Sequence, residues 1–285
     1  MNKTYFSTAV AGACLLAFPA QAEESQDSSI SNTVAADEPG QDDKSDGDIH
    51  GFFAIGSGAV PAFDGAKKYQ LVPLMLADVE WQGLVLEVRG LSARLDLFGP
   101  SQFQLGPIVN FRGKRDSADD GKGKVKLLDD VDSAVEVGGF IGYRFGGNEY
   151  GQGEVAVDVS VAKDVSDGHE GVIGTAQISY VAYRSQKLFV NLDAQATFAD
   201  DKYMNAYFGV SSEEAARSGL PSYEAEEGIR DVGAGVTVGY QFSRRWGLIA
   251  RAGASHYLGD AKDSPIVDEG SKIQAIGGLA VSFRF

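Results

Sequence analysis

From Gly51 onward, apolar residues recur at every second position, and glycine, small polar or charged residues fill the positions between them. Gly228–Phe242 is the clearest case. Val232, Ala234, Val236, Val238, Tyr240 and Phe242 form one face, while Asp231, Gly233, Gly235, Thr237, Gly239 and Gln241 form the other. Lys187–Phe198 divides in the same way, and the pattern returns in Gln102–Arg112, Ala134–Gly146, Glu154–Ala162, Trp246–Leu258 and Lys272–Phe285. A period of two is that of a strand, so the chain reads as all-β.

A soluble sandwich also alternates, so the period alone leaves open what each face meets. The aromatics decide. Tyr143, Phe145, Tyr183, Tyr240, Phe242, Trp246, Phe283 and Phe285 fall on the apolar faces at strand ends beside short turns, where a membrane-interface girdle belongs. Strands of about 11 residues, rising roughly 3.3 Å each and tilted about 40–45°, match the ~25 Å apolar band of an outer-membrane barrel. The mean hydropathy of −0.13 is no objection, because lipid-facing and lumen-facing residues cancel in any average.

The expected fold is an antiparallel transmembrane β-barrel of about twelve strands with periplasmic termini and long extracellular loops. Counting outward and inward runs from Gly51–Val60 puts the long polar segments 61–68, 113–133, 199–228 and 259–271 outside. The turns near Gly99-Pro100, Gly147-Asn148, Ser185-Gln186 and Ser243-Arg244 then fall in the periplasm. Parity hinges on Leu84–Phe98 being a hairpin folded at Gly90, since a single bent strand there would reverse every later loop.

Ahead of the barrel, assigned to residues 50–285, stand two other segments. Residues 1–22 read as a cleaved signal peptide: Lys3, an apolar run from Ala9 to Phe18, then Ala20-Gln21-Ala22 as the cleavage site before Glu23. A lipoprotein reading of Ala11-Gly12-Ala13-Cys14 competes with it, weakened by Ala11 where leucine is usual. Cys14 is the single cysteine, so cleavage after Ala22 removes any thiolate or disulfide chemistry. Residues 23–49 carry nine acidic residues against Lys44 alone, with no aromatics, the composition of a disordered periplasmic leader. A formal charge of −15 argues against nucleic acid as a partner.

Candidate chemistry is sparse, and no catalytic, cofactor-binding or metal residue is assigned. Ser255 and His256 are adjacent on a strand and so face opposite ways, which denies them a nucleophile–base pairing. Asp129, Asp130 and Asp132, and Asp260, Asp263, Asp268 and Glu269, lack EF-hand spacing and read as solvated outer-loop residues. Charges on the predicted lumen face include Glu87, Arg89, Arg94, Asp96, Glu136, Arg144, Glu154, Asp158, Asp193, Arg251 and Arg284. They suit a mutually neutralising network or a narrow selective pore. In the 199–228 loop, Ser211-Ser212-Glu213-Glu214 is a capping box, with Gly219 and Pro221 ending a short helix. Tyr203, Met204, Tyr207, Phe208 and Tyr223 are too many large apolar groups for a free loop, and are expected to pack as a lid over the barrel mouth. Leu279, Val281, Phe283 and Phe285 form a closing alternation resembling the signal read by the outer-membrane insertion machinery.

Asp200–Val210 (DDKYMNAYFGV), Ser218–Tyr223 (SGLPSY), Gly228–Val232 (GIRDV) and Tyr257–Val267 (YLGDAKDSPIV) resemble the MltA-interacting protein (MipA/OmpV) family of outer-membrane proteins. The resemblance covers roughly residues 50–285 and leaves out the acidic leader. It implies a non-enzymatic barrel set among outer-membrane lipid and lipopolysaccharide, linked in some members to a scaffold joining a murein transglycosylase to a murein synthase, and in others to adhesion. No catalytic residue or cofactor comes with it. The expected role is therefore a scaffold, with a small-solute channel gated by the 199–228 loop and a surface adhesin as alternatives.

Overall fold

The computed structural model describes residues 49–99 and 101–285. Twelve strands run in chain order: β1 His50–Pro61, β2 Tyr69–Trp81, β3 Leu84–Arg89, β4 Ser92–Asp96, β5 Phe103–Arg112, β6 Ala134–Gly146, β7 Glu154–Asp164, β8 Val172–Arg184, β9 Leu188–Ala199, β10 Gly228–Gln241, β11 Trp246–Tyr257 and β12 Ile273–Arg284. Each pairs antiparallel with its chain neighbour, and β1 pairs with β12 to close the barrel. Closure leaves no open strand edge in the wall. Residues 1–22 and nearly all of the acidic segment lie outside the described residues, as do Ala22 and Glu23 at the expected cleavage site.

Alternation becomes inside and outside. On β11, Leu248, Ala252 and Ala254 face outward while Ile249, Arg251 and Tyr257 face the lumen. Leu71 is 79% exposed and Leu279 64%, and such exposures recur around the whole wall. An apolar surface that continuous requires hydrocarbon against it. No helix among the described residues is long and apolar enough to cross a membrane; the strands do the crossing.

Every long connection lies at one end, together with the tight Gly90-Leu91 turn that stops β3 partway, while the remaining short turns and residue 49 lie at the other. The Leu84–Phe98 segment is a hairpin, as the parity count requires, with Gly90 at its tip at φ +60°. A side chain there would be held in the strained left-handed region. β4 is shorter than the expected Leu91–Phe98 because Asp96 interrupts it: its carboxylate accepts from Phe98 N at 3.0 Å and Leu105 N at 3.3 Å, diverting amides from the ladder.

At the loop end the connections are more structured than the single short helix expected in the 199–228 loop. They contain α1 Ser117–Asp120, α2 Asp201–Phe208, α3 Ser212–Ser218, α4 Gly259–Asp263 and α5 Pro265–Glu269. Ile266 and Val267, expected in a solvated segment, are buried with Phe63 and Phe208 in the clusters that weld these loops together.

Candidate functional site: the capped lumen

The lumen charges meet in pairs determined by strand register. Glu87 and Arg94 sit directly opposite on the β3–β4 hairpin, and Arg94 Nε donates to Glu87 Oε2 at 2.7 Å. Arg94 also lies 3.5 Å from Asp158, with its guanidinium 4.8 Å from the Phe140 ring. Arg89 Nη2 donates to Asp78 at 2.9 Å, and Arg144 Nε donates to Gln104, whose amide in turn reaches Asp96. Farther round the wall, Arg251 binds both oxygens of Asp193 at 2.5 and 2.8 Å and donates to Thr237 at 3.0 Å. That pair spans β9 to β11 by lying across Gly235 of β10. A Cβ at this position would stand 2.8 Å from Arg251 Nη2 and 2.9 Å from Asp193 Oδ2, so glycine is what lets the ion pair cross the strand. Each of these charges is nearly or fully withdrawn from water, and each has an opposite charge beside it except Asp96, whose carboxylate is held by the Gln104 amide and two backbone N–H groups; those are the conditions under which buried ions are tolerated.

Above this network sits the cap. Asp200 opens α2 by accepting from Tyr203 N at 3.0 Å. The helix turns Tyr203, Met204, Tyr207 and Phe208 inward, where all four are buried. Ser211 and Glu214 make the expected capping box on α3, which ends at Gly219 in the left-handed conformation. Tyr223 is half-buried and donates to Asp260 O at 3.0 Å. The cap is bonded to the wall as well as packed on it. Tyr203 Oη donates to Asp64 Oδ2 at 2.8 Å, and Arg230 Nη1 donates to Tyr203 Oη at 2.5 Å and to Asp64 at 3.3 Å. Arg112 Nε donates to Glu136 at 2.6 Å, with its guanidinium 5.0 Å from the Tyr203 ring. His169 Nδ1 accepts from Gly171 N at 3.0 Å, so the ring proton is on Nε2 and is donated to Glu136 Oε1 at 3.2 Å. Burial pushes the Tyr203 and Tyr207 hydroxyls above the usual tyrosine range, which keeps both protonated and leaves Tyr203 the donor to Asp64.

Glu136, Arg144, Asp158, Asp193 and Arg251 thus all face the lumen, but in three groups: Glu136 under the cap, Arg144 and Asp158 in the β3–β7 network, Asp193 and Arg251 beside Gly235. Leu279, Val281, Phe283 and Phe285 line the outward side of β12. His256 faces outward between Val232 and Ile273, and Ser255 faces the other way. His50 bonds Glu80 at the turn end. Asp129 pairs with Arg217 at 2.7 Å and Asp260 accepts from Glu226 N at 2.8 Å. Among the described residues no group of three His, Cys, Asp or Glu side chains is arranged to hold a metal ion. Sequence reasoning missed Asp64, Arg112, Arg230 and Tyr257. Arg112 was accessible to it, since it shares strand parity with Gln104; Asp64 lies in a loop and offers no periodic signal.

The family model described as MltA-interacting protein MipA matches residues 53–285 of this chain. The chain belongs to that family. "Putative outer membrane protein YiaT" of Escherichia coli (strain K12) is 29% identical over 129 residues, 45% of this chain and 51% of that protein. The chain therefore spans about half the length of the curated relatives it matches. Among solved structures, an outer membrane channel from Pseudomonas putida F1 superposes with a TM-score of 0.44 at 13% identity, covering 88% of this chain and all of that one. The NanC porin does so with 0.42 at 7% identity, covering 82% of this chain and all of the porin. This MipA-family chain is an outer-membrane β-barrel, with its turn end, residue 49 and Phe285 periplasmic and its capped end extracellular.

Proposed function

We infer that this MipA-family barrel is a non-enzymatic scaffold that anchors murein-remodelling enzymes, a lytic transglycosylase first among them, to the inner face of the outer membrane. The observation that supports this reading is the double closure of the lumen. The extracellular mouth is covered by a cap bonded to the wall through Tyr203, Asp64 and Arg230, and the interior is occupied by paired charges. A barrel so filled offers its periplasmic turns, rather than its interior, as the working surface. The family description names MltA as the interaction partner, and a murein transglycosylase is carried to this chain as part of the proposal.

The test is binding of a purified lytic transglycosylase to the chain held in lipid nanodiscs. Tyr150, 56% exposed on the turn between β6 and β7, is the first turn residue to alter, with Tyr150→Ala and reversal of Glu149 expected to weaken retention. No retention by the unaltered chain, together with steady single-channel openings in a planar bilayer, would overturn the scaffold reading. Those openings are what a second reading, a gated small-solute channel, requires. One observation favours it: Gln177, 5% exposed on the lumen wall, has neither amide atom hydrogen-bonded within the protein, as suits a group that meets passing solute or water.

A further inference from the structure

The periplasmic rim is electrically lopsided. Arg184 and Arg284 stand at the ends of β8 and β12 on the periplasmic mouth. Lys187, Arg244 and Arg245 stand exposed on the two turns between those strands. Backbone hydrogen bonds show that the five belong to one contiguous arc: Gln241 N donates to Lys187 O, and Arg284 N donates to Arg245 O. The turns 185–187 and 242–245 contain no acidic residue. Glu154, at the start of β7, is buried in the wall.

The acidic segment joins the barrel at the edge of this arc. β1 begins at His50, and Gly51 exchanges backbone hydrogen bonds with Phe285, next to Arg284. Residues 37–48 carry Asp37, Glu38, Asp42, Asp43, Asp46 and Asp48 against Lys44. Twelve extended residues reach roughly 40 Å. From β1 to β8 the arc covers five strand spacings of about 4.8 Å, roughly 24 Å, so the segment can lie along its whole length. Tethering supplies an effective concentration on the order of millimolar, with no loop closure beyond the attachment at His50.

We propose that residues 37–48 dock on the basic arc formed by Arg184, Lys187, Arg244, Arg245 and Arg284, so that the chain covers part of its own periplasmic face. The occupant is this chain's own segment because it carries the complementary charge and is attached at the arc's edge. The proposal stands apart from the scaffold reading and holds whether or not a murein enzyme binds. If one does, it meets a rim that the segment shields electrostatically and must displace it or bind beside it.

Zero-length carbodiimide coupling tests this directly, since it joins only a carboxylate and an amine in contact. With the chain in lipid vesicles at low salt, mass spectrometry is expected to find Lys187 linked to the peptide containing residues 37–48. The yield should fall about tenfold in 0.5 M salt, where charges separated by more than roughly 4 Å are screened. It should fall similarly in the exposed-turn variant Arg244→Gln/Arg245→Gln, whose folding is checked by heat-modifiable gel mobility. The salt series on the unaltered chain stands alone if that variant does not fold. Absence of the Lys187 link, a link indifferent to salt, or links found only between isotopically distinguished copies of the chain would each overturn the proposal. Transglycosylase retention, measured separately, shows whether the scaffold reading fails independently.

Discussion

Tyr203 and Asp64 share a 2.8 Å hydrogen bond that fastens the cap helix α2 to the loop between β1 and β2, 139 residues away in the sequence. Asp64 also accepts from Arg230 and Tyr257, so removing the Tyr203 hydroxyl thins this junction without leaving the carboxylate alone. Tyr203→Phe is expected to cost about 1 kcal/mol, and Asp64→Ala, which takes a buried charge from Arg230, up to about 3 kcal/mol. The loss falls on the cap: amide exchange should speed up at Met204, whose N–H bonds Asp200 O, while amides in the middle of β6 keep their protection.

The Asp193–Arg251 pair makes a sharper prediction because its two halves are unequal to its whole. Asp193→Ala strands a buried guanidinium and is expected to destabilise the barrel by about 3–5 kcal/mol, whereas Asp193→Ala/Arg251→Met should cost markedly less. Gly235→Val drives a branched side chain into the space where the pair crosses β10 and should resemble the single mutant. Urea midpoints in lipid vesicles, read by tryptophan fluorescence, rank the three.

How much of this was legible in the residues follows from where periodicity acts. The wall was legible because a lipid-facing strand cannot slip by one position without turning its charges into hydrocarbon, so Val232 to Phe242 fixed both face and register direction. The Glu87–Arg94 pair could also be read, since the Gly90 hairpin sets those residues opposite one another. Arg251 with Asp193 could not, because the pair skips a strand and depends on the glycine between them. The cap was half-legible: Ser211 and Glu214 announced α3, but α2, α4 and α5 owe their order to burial against one another, and short helices of that kind carry little signal of their own.

Acid should loosen the cap through Glu214. Partial burial raises its pKa, but bonds from the Ser211 and Asp129 amides outweigh that effect and hold the carboxyl below the usual glutamate range. A depressed pKa means the bonds contribute fully above the ordinary glutamate value of about 4.3 and are lost as pH falls through the lower, folded value. Exchange at Ala215, whose amide bonds Ser211 O, should therefore accelerate below about pH 4. Glu214→Gln should flatten that acid limb, and an unchanged limb would move the titration to another group.

Phe285 makes two contributions that substitution can separate. Its backbone exchanges hydrogen bonds with Gly51, at 3.1 and 3.2 Å, at the foot of the β1–β12 seam, while its ring faces outward 6.4 Å from Phe53. Deleting the residue removes both; Phe285→Ala removes only the ring. If the ring serves chiefly to close the seam, the two variants should differ in refolding from urea into vesicles, with Phe285→Ala near the unaltered chain and the deletion slower. If the insertion machinery reads the ring, as the Leu279, Val281, Phe283, Phe285 alternation suggests, Phe285→Ala should refold normally in vitro yet reach the outer membrane of cells at several-fold lower abundance. Equal abundance in cells would remove the ring from the assembly signal and leave it a seam contact alone.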